Sequence, residues 1–507
     1  MIQENIPVKI LLVKPRAELR VPRMLQNFLH LEPLELEIIA GGLDAHEKVK
    51  ILDLGVEKKN QFKVFAKALK DWQPDIIGLT GYSTNLSTMK QLARIAKEFS
   101  PQIITVAGGI HATLLPVDFA KSHFDIVVRG EGSQVLNEIV RRFKNQEPLF
   151  FGDAALSPTD PSFTHKAAQP PPEYPPIEKI PRPRRDLVDR KRYFCIWTSS
   201  HTPRMDKLFP QVASMRTSIG CAFSCSFCVI HQLMHHKYLQ RDPQDVVDEI
   251  QGLQENHIYF LDDEMFLNAQ RCIAIAQLLI DRGIKKEYIS WARSDTIVKH
   301  PEVFKLWKQA GLSTVYVGLE SMEEDKLQEY KKRLPVETNR KAIAILKEIG
   351  ITLHAAFIVH QNFTDEDFIQ LRKETVKICP AEVSFTVLSP SPATAFWQES
   401  KEKFICDPYY YYDCMHTILP TRLPLRKFYR RFAFLTATAL RLNPLRVNRI
   451  KVPFKDFLRA LDCGAKYIYA QHMIYRDYLP GRKKEFISGD TLLNSNKTDE
   501  LSVVSPE

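Results

Sequence analysis

Three cysteines lie within eight residues of the stretch GCAFSCSFCVI, which starts at Gly220: Cys221, Cys225 and Cys228. Three thiolates at this spacing can each bind one iron of a cubane cluster, which leaves the fourth iron free to hold a small molecule. The alternative is a structural zinc site, with a fourth ligand from one of three nearby histidines: His231, His235 or His236. Zinc sites commonly pair their cysteines as two Cys-x-x-Cys hooks. This stretch has one hook and an outlying cysteine, so the spacing favours the cluster.

The other cysteines are dispersed, and we expect them to be small core or surface residues: Cys195, Cys272, Cys379, Cys406, Cys414 and Cys463. The total of nine is odd. The start MIQENIPVKILLVKPR lacks the features of a secretory signal. No apolar run approaches the roughly 18 residues of a membrane span. We therefore expect a cytoplasmic protein with reduced thiols.

The basic residues are unevenly distributed along the chain. The formal net charge is +10, and residues 421–484 hold 16 Lys and Arg against three acidic residues. Such a segment favours contact with nucleic acid, an anionic membrane surface or an acidic partner. Its stretch RLPLRKFYRRFAFL mixes basic and apolar residues, which is typical of a helix at a membrane surface and also of an amphipathic helix packed on a domain.

Residues 8–145 alternate apolar strand patterns with helical periods. The strand stretches are VKILLV, VKILDL, DIIGLTGYS, IITVAGGIHA and IVVRGEG. Apolar strands that alternate with helices predict a doubly wound parallel sheet of the α/β class, so residues 1–150 are interpreted as a Rossmann-like domain. Residues 151–205 are proline-dense and predict an extended linker that wraps over a neighbour.

A second strand–helix series begins near Arg216, where MRTSIG is predicted as a strand. Six units, the last without a clear helix, occupy residues 206–399 and predict a partial barrel related to the eight-unit one. Residues 400–485 are predicted to be mostly helical and basic, and residues 486–507 to be a disordered tail. Reacting groups of such barrels sit at the carboxyl ends of the strands, which is where the three cysteines are expected.

A Cys-x-x-x-Cys-x-x-Cys motif after the first strand of such a barrel resembles the radical S-adenosylmethionine (SAM) superfamily. The resemblance implies a [4Fe–4S] cluster whose open iron binds the amino and carboxylate groups of SAM, and cleavage of SAM to a 5′-deoxyadenosyl radical. Residues beside the last cysteine and at three strand ends would bind SAM: Phe227, Asp262, Asp263, Glu264, Arg293, Glu320 and Ser321. For each carboxylate, the alternative is a helix N-cap or a solvated loop charge.

A doubly wound domain ahead of this barrel resembles the cobalamin-binding class of radical SAM enzymes. Its cobalamin loops would be GYSTN, GGIHAT and RGEG, whose glycines let the backbone approach a flat ligand. The residues concerned are Tyr82, Ser83, Thr84, Asn85, Gly108, Gly109, His111, Gly130, Glu131 and Gly132. The Asp-x-His-x-x-Gly motif that supplies an axial histidine in some cobalamin proteins does not occur here. We therefore expect His111 to be a loop or packing residue, with no histidine on cobalt.

Within this class the chain resembles the hopanoid C-3 methylases over residues 8–440. The matching stretches include LEPLELEIIAGGL, RTSIGCAFSCSFC, ARSDTIVKHPEVFKLWKQAGL, SFTVLSPSP and LPTRLPLRKFYRRFA. The resemblance implies methyl transfer from methylcobalamin to an unactivated carbon of a polycyclic lipid, C-3 of a hopanoid. One SAM would be the methyl source and a second the radical source, with a flavodoxin or ferredoxin as electron donor. A saturated C–H bond has no useful acidity, so a general base cannot activate it.

Other functions fit part of the pattern. A radical SAM oxidative cyclase, or a methylase of another lipid or natural product, would share the scaffold. A tRNA-modifying enzyme would use the basic end, but the first domain has no second group of three cysteines and no RNA-binding module is appended, so nucleic acid is not expected as a partner. A zinc-stabilised cobalamin-binding sensor would leave the acidic strand ends without a role.

We expect peripheral contact with the inner membrane face through the basic region.

Overall fold

The computed structural model describes residues 6–198, 207–332, 334–447 and 453–479. The predicted tail, residues 486–507, lies outside these ranges, as does the end of the predicted linker. Within the described part of the chain, no helix combines the length and the apolar character that crossing a membrane requires.

The first domain is built on a six-stranded sheet with the order β3-β1-β4-β5-β6-β7, parallel except for β7. The strands of this domain are β1 Lys9–Lys14, β2 Leu29–His30, β3 Lys48–Asp53, β4 Ile76–Thr80, β5 Ile104–Gly108, β6 Ile126–Val128 and β7 Ala155–Leu156. Strand β2 does not belong to the six-stranded sheet. Its helices are α1 Arg20–Leu25, α2 Leu34–Gly41, α3 Gln61–Trp72, α4 Leu86–Phe99, α5 Ile110–Leu114 and α6 Ser133–Lys144. The predicted doubly wound sheet is confirmed.

Alternate residues of the central strand β1 explain why helices cover both faces. Leu11 and Val13 belong to one apolar core, and Ile10 and Leu12 to another on the opposite face. Side chains of a strand alternate between the two faces, so a strand that is apolar throughout must be covered on both. The carboxyl ends of the parallel strands are left at one edge, where the glycine loops follow them.

The proline-rich segment connects the first domain to the barrel. It contains α7 Phe163–Ala167 and β8 Phe194–Cys195, which pairs antiparallel with β2. The buried carboxylate of Glu32 is bonded by Arg185 and Arg190 and also accepts the backbone N–H of Ser214 in the barrel. Arg185 also reaches Glu249 of the barrel at 2.9 Å. A buried charge is tolerated when it is paired in this way, and the network fixes how the two domains face each other.

The second domain is a partial barrel of six parallel strands with the order β16-β15-β14-β13-β12-β9. The strands of this part are β9 Val212–Met215, β10 Ser218–Ile219, β11 Leu239–Gln240, β12 His257–Phe260, β13 Glu287–Ala292, β14 Leu312–Glu320, β15 Thr352–Val359 and β16 Glu382–Val387. The helices up to β16 are α8 Ile230–Leu233, α9 Pro243–Gly252, α10 Ala269–Asp281, α11 Ser294–Lys299, α12 Pro301–Ala310, α13 Glu324–Glu329, α14 Val336–Ile349 and α15 Asp365–Ile378.

The sequence placed the first barrel strand at MRTSIG, and this position is wrong. The strand is β9, which ends at Met215, and β10 leaves the barrel to pair antiparallel with β11. The chain turns at Thr217 because its N–H and hydroxyl both donate to the buried carboxylate of Asp262. The cysteines therefore follow a short hairpin strand rather than the barrel strand itself.

The chain continues with three helices: α16 Ala395–Ser400, α17 Leu425–Val447 and α18 Phe454–Met473. Helix α17 packs on β16 and α15, so it takes the place of the sixth barrel helix that the sequence left unclear. Its apolar side chains Phe428, Tyr429 and Phe432 are fully buried in the main barrel core. Helix α18 packs against α17 and α1.

Candidate functional site

The three cysteines lie in a loop after β10, directly behind Gly220. The N–H of Gly220 donates to the Asp263 carboxylate at the end of β12, with an N···O distance of 2.8 Å. The N–H of Cys228 donates to the carbonyl of Cys225 at 3.1 Å, which folds the loop back on itself. All three thiols are free and partly exposed. The loop therefore offers three sulfur ligands on one short, anchored piece of backbone.

Burial raises the pKa of the Cys221 thiol to about 11 and that of Cys228 to about 12. Thiols in such surroundings ionise when a metal compensates their charge. Arg293 adds a positive charge: its Nη1 lies 3.7 Å from the Cys225 sulfur, and its guanidinium lies 3.6 Å from the centre of the Phe223 ring. The donor set and its surroundings fit a bound cluster.

The zinc alternative needs a histidine among the sulfurs. His235 instead bonds its Nε2 to the Pro171 carbonyl oxygen at 2.9 Å, and the rings of His231 and His236 stack on each other at 5.3 Å. Among the described residues, the three sulfurs do not form, with each other or with a histidine, a group of ligand atoms within 4.8 Å. One zinc ion needs such a close group, whereas separate irons hold their sulfurs further apart.

The acidic residues after β12 differ in what they bond. The Asp262 carboxylate accepts from Thr217 and Ser218 and is fully used in holding the turn. Glu264 is buried, and its Oε2 accepts the Arg293 N–H at 2.8 Å, but its Oε1 has no hydrogen-bond partner among the described residues. Burial raises the pKa of Glu264 to about 8. A buried carboxylate with one free oxygen fits a cationic ligand group such as an ammonium.

The remaining predicted SAM residues surround the same strand ends. Glu320 lies at a bulge of β14 with φ +61°, and its carboxylate is 3.0 Å from the Lys332 ammonium. Ser321 is buried, and its hydroxyl accepts the Glu323 N–H. The ring of Phe227 packs edge-on against Tyr330, with 6.3 Å between the centroids. The segment after β14 thus closes over the cysteine loop.

A cavity of about 860 Å³ separates the first domain from the barrel. Seven of the ten predicted cobalamin residues line it: Tyr82, Asn85, Gly108, Gly109, Gly130, Glu131 and Gly132. A Cβ on Gly108 would meet no described atom within 4 Å, so this glycine leaves open space for a ligand. Gly109 has φ +94°, where a side chain would be strained. Cavity size and glycine lining fit a large, flat ligand such as a corrin.

His111, Ser83 and Thr84 do not line this cavity. The buried His111 Nδ1 lies 3.0 Å from the Ser83 hydroxyl oxygen, and its Nε2 lies 3.2 Å from the Asp118 carboxylate. Its ring packs edge-on against Tyr409. His111 is thus held as a packing residue behind the loop, away from the ligand side.

Sequence reasoning missed several residues of the site. The opposite wall of the cavity comes from the linker and from the barrel: Tyr174, Ile177, Ile180, Pro181, Arg216, Ile219 and Met234. Asp263, predicted to bind SAM, also lines this wall. The linker residues belong to no recognisable sequence motif. Which of them face the cavity depends on how the proline-rich segment packs against the first domain. Phe223 lies inside the cysteine motif and could have been singled out for that reason. Lys332 carries no local signal.

The sequence matches two family models: the B12 binding domain over residues 28–140 and the radical SAM superfamily over residues 215–374. The first match covers the glycine loops and the second the cysteine loop.

The chain is similar to several known proteins. The chain is 29% identical over 411 residues to the hopanoid C-3 methylase of Methylococcus capsulatus, covering 79% of this chain and 75% of that one. It is 31% identical over 345 residues to the anaerobic magnesium-protoporphyrin IX monomethyl ester cyclase of Rubrivivax gelatinosus, covering 65% and 59%. The fold matches the radical SAM methyltransferase TsrM of Kitasatospora setae, solved with cobalamin and a [4Fe–4S] cluster, with TM-score 0.62, 16% identity and coverage of 93% and 99%.

These matches settle the cofactors that the cysteine loop and the interdomain cavity left open. The cofactors are a [4Fe–4S] cluster, SAM and cobalamin, and the protein is an enzyme rather than a zinc-stabilised sensor. The chain therefore combines a B12 binding domain with a radical SAM domain, and it resembles radical SAM methyltransferases in sequence and fold.

Proposed function

We propose that this enzyme transfers a methyl group to an unactivated carbon of a polycyclic lipid, C-3 of a hopanoid. One observation carries the proposal: the cysteine loop and the cavity share a wall, since Asp263 lines the cavity and holds Gly220 beside the first cysteine. The cysteine loop is therefore anchored directly to the wall of the cavity. The similarity to a hopanoid C-3 methylase over 79% of this chain supports the lipid acceptor.

In this proposal Cys221, Cys225 and Cys228 hold the cluster. Glu264 presents its free Oε1 to the SAM ammonium, and Arg293 is fixed over Phe223, with its charge beside the Cys225 sulfur. Bound together, the cofactors supply a methyl group and a radical that abstracts hydrogen from carbon. The protein positions the reacting groups and keeps water away from them.

Cobalamin in this proposal lies against the glycine loops of the first domain. Gly108 leaves room for it, and the Tyr82 side chain, 59% exposed, projects into the cavity. Tyr174 and Ile177 of the linker cover the opposite side. An apolar cover of this kind shields a reactive ligand from solvent.

Deletion of the gene in a hopanoid-producing host tests the acceptor. We expect the C-3-methylated triterpenoids to disappear from the lipid profile and to return with the wild-type gene. They should not return with the Cys225→Ala variant, although the Cys379→Ala control, outside the cysteine loop, should restore them. A lipid profile unchanged by the deletion would refute the hopanoid acceptor and leave the cofactors in place.

The similarity to a magnesium-protoporphyrin ester cyclase favours a second candidate, an oxidative cyclase or a methylase of another lipid or natural product. Both share the scaffold, so the product distinguishes them. Purified enzyme given SAM, cobalamin and a reductant of the flavodoxin or ferredoxin type, which we propose as the electron donor, should add 14 mass units to a methyl acceptor. Formation of a ring without that gain would favour the cyclase.

We propose that helix α18 docks on an anionic membrane surface. Phe454, Leu458 and Leu461 are 73%, 48% and 49% exposed and lie on one face of the helix. At helical spacing this face continues to Ile468 and His472, which line a groove of about 430 Å³ with Arg430 and Phe434 of α17. The excess of Lys and Arg in residues 421–484 complements anionic lipid.

Sedimentation with vesicles tests the docking. The protein should sediment with phosphatidylglycerol vesicles more than with phosphatidylcholine vesicles, and less so as salt is raised. Replacing Phe454, Leu458 and Leu461 together by Ser should abolish sedimentation. Replacing Ile369 and Val376, apolar residues of α15 with similar exposure, should not. Equal sedimentation of the two variants would refute a role for this face.

A further inference from the structure

Three aromatic rings form a stack on neighbouring barrel strands. Trp291, Tyr316 and His354 are register partners on β13, β14 and β15. Their ring centroids are 3.7 Å apart between Trp291 and Tyr316 and 4.1 Å apart between Tyr316 and His354. The neighbours of Tyr316 in its strand, Val315 and Val317, are fully buried against the helices. The stack therefore lies on the inner face of the barrel.

Space remains beside this stack. Tyr316 and His354 keep part of their surface accessible although they sit in the middle of the sheet. Cys414 borders the same region: its surface is exposed, yet burial raises the pKa of its thiol to about 12. Burial also raises the pKa of Tyr316, a hydrogen bond with Ser384 opposes this rise, and Glu320, Cys414 and Glu382 add to it. Tyr316 and Cys414 are thus solvent-accessible although protein atoms surround them, which indicates that they face an enclosed space. Tyr82 faces the interdomain cavity in the same way.

This enclosed space, the barrel lumen, lies beneath the cysteine loop. Arg293, two residues beyond Trp291, contacts the Cys225 sulfur. At the opposite end the floor is formed by Trp197, whose Nε1 donates to Glu287 at the start of β13.

A chain of polar groups crosses the lumen wall next to the stack. The His354 Nδ1 lies 2.9 Å from the Glu382 carboxylate, and its Nε2 lies 2.7 Å from the Ser384 hydroxyl oxygen. The second Glu382 oxygen accepts the Thr198 hydroxyl. Glu382 and His354 are thus held in place, and His354 sets the direction of the Ser384 hydroxyl.

The Tyr316 hydroxyl also lies within hydrogen-bonding reach of Ser384, and Ser384 still retains one hydrogen-bonding position whether the His354 Nε2 accepts or donates. If Nε2 accepts the Ser384 hydroxyl, the serine oxygen keeps lone pairs for a donor. If Nε2 donates, the serine hydroxyl keeps its proton for an acceptor. A ligand hydroxyl, which both donates and accepts, satisfies either case.

We propose that Ser384 is a specificity-determining residue that binds a hydroxyl group of the acceptor, whose ring system lies against Trp291 and Tyr316. Apolar ring faces pack on the aromatic stack, and the hydroxyl fixes how far the ring system enters the lumen. This inference rests on the proposed function in taking a polycyclic compound as the acceptor. The preferred substrate is then a polycyclic alcohol rather than the corresponding hydrocarbon.

Equilibrium binding of two probes to the cofactor-loaded protein tests this without turnover. The probes are a pentacyclic triterpene alcohol and its deoxy hydrocarbon, delivered in the same detergent. The wild type should bind the alcohol about tenfold more tightly than the hydrocarbon. Ser384→Ala should remove that preference and Ser384→Thr should keep it. Ser290→Ala, at a buried serine on the helix side of β13, should also keep it.

Equal binding of the two probes by the wild type, or an unchanged preference in Ser384→Ala, would overturn the inference. Thermal unfolding of each variant shows whether it is folded. A preference for the alcohol that depends on Ser384, together with the absence of a methylated product, would refute the proposed methyl transfer to such lipids and leave the hydroxyl site standing. The two failures are therefore distinguishable.

Discussion

The N–H of Gly220 donates to the carboxylate of Asp263, 43 residues further along the chain, at 2.8 Å. This bond joins the loop that carries the cysteines to a strand end that lines the interdomain cavity. Gly220 has φ +94° and lies so close to the Lys237 carbonyl that a Cβ would come within 2.2 Å of its oxygen. The position of the cysteine loop therefore depends on the absence of a side chain here.

Gly220→Ala should displace the cysteine loop, because the methyl group is excluded by both the backbone conformation and the Lys237 carbonyl. We expect the iron and sulfide bound after anaerobic reconstitution to fall at least several-fold. Gly252→Ala, at a helix end where a Cβ meets no described atom within 4 Å, is the matched control and should bind iron as the wild type does. Full iron loading of Gly220→Ala would contradict this account.

Gly108→Val should weaken cobalamin binding without loss of stability. Its side chain would project into the cavity rather than into protein atoms, so it takes ligand space only. We expect the cobalamin retained after gel filtration to fall about tenfold, equivalent to about 1.4 kcal/mol, while the thermal unfolding temperature stays unchanged. Cobalamin retention equal to that of the wild type would show that the corrin does not approach this loop.

Asp262 and Glu264 should behave differently although they are two residues apart. Asp262→Asn replaces an acceptor of backbone and hydroxyl protons in a buried turn, so we expect it to lower the free energy of unfolding by about 2 kcal/mol. Glu264→Gln keeps the shape but can no longer ionise beside a cationic ligand group, so we expect weaker SAM binding in a folded protein. Calorimetry and equilibrium SAM binding on both variants check this, and a reversed pattern would exchange the two roles.

The His416 imidazole should make stability pH-dependent. It is fully buried between the carboxylates of Asp413, at 2.8 Å, and Asp477, at 3.1 Å. Burial lowers its pKa, but the two carboxylates outweigh it and raise the pKa from 6.5 to about 9. The protonated form is favoured by folding, so its contribution is fully present below pH 6.5 and is lost as the pH rises to 9. That contribution is on the order of 3 kcal/mol.

Urea unfolding between pH 6 and pH 9.5 measures this contribution. The wild type should lose stability over the range, and His416→Gln should start lower and change less. His165→Gln, at an exposed histidine, is the control and should follow the wild type. A His416→Gln variant with the same pH dependence as the wild type would assign the loss to other groups.

The sequence allowed good prediction where the signal is local. The alternation of apolar strands with helices predicted both sheets, since periodicity reflects which faces are covered. The cysteine spacing predicted the cluster, because ligands to one cofactor lie on one short loop. The glycine loops predicted seven of the residues that line the cavity, because loops after parallel strands meet at one sheet edge.

Distinctions among similar residues required the tertiary structure. The sequence DDE gives no reason to distinguish Asp262 from Glu264. Their hydrogen-bond partners in the structure show that Asp262 holds a turn and that Glu264 keeps an unpaired oxygen. His111 belongs to a predicted loop, yet it turns to Ser83. The orientation of each side chain follows from packing with distant parts of the chain, which no local pattern records.

The sequence by itself determined the fold class, the cofactor family and the loops that serve it, because each of these depends on residues close together in the chain. The tertiary structure alone decided which surfaces meet: the linker over the cavity, α17 as the sixth barrel helix, and Ser384 beside His354 on the lumen wall. These arrangements depend on strand register and domain packing, which join residues far apart in sequence.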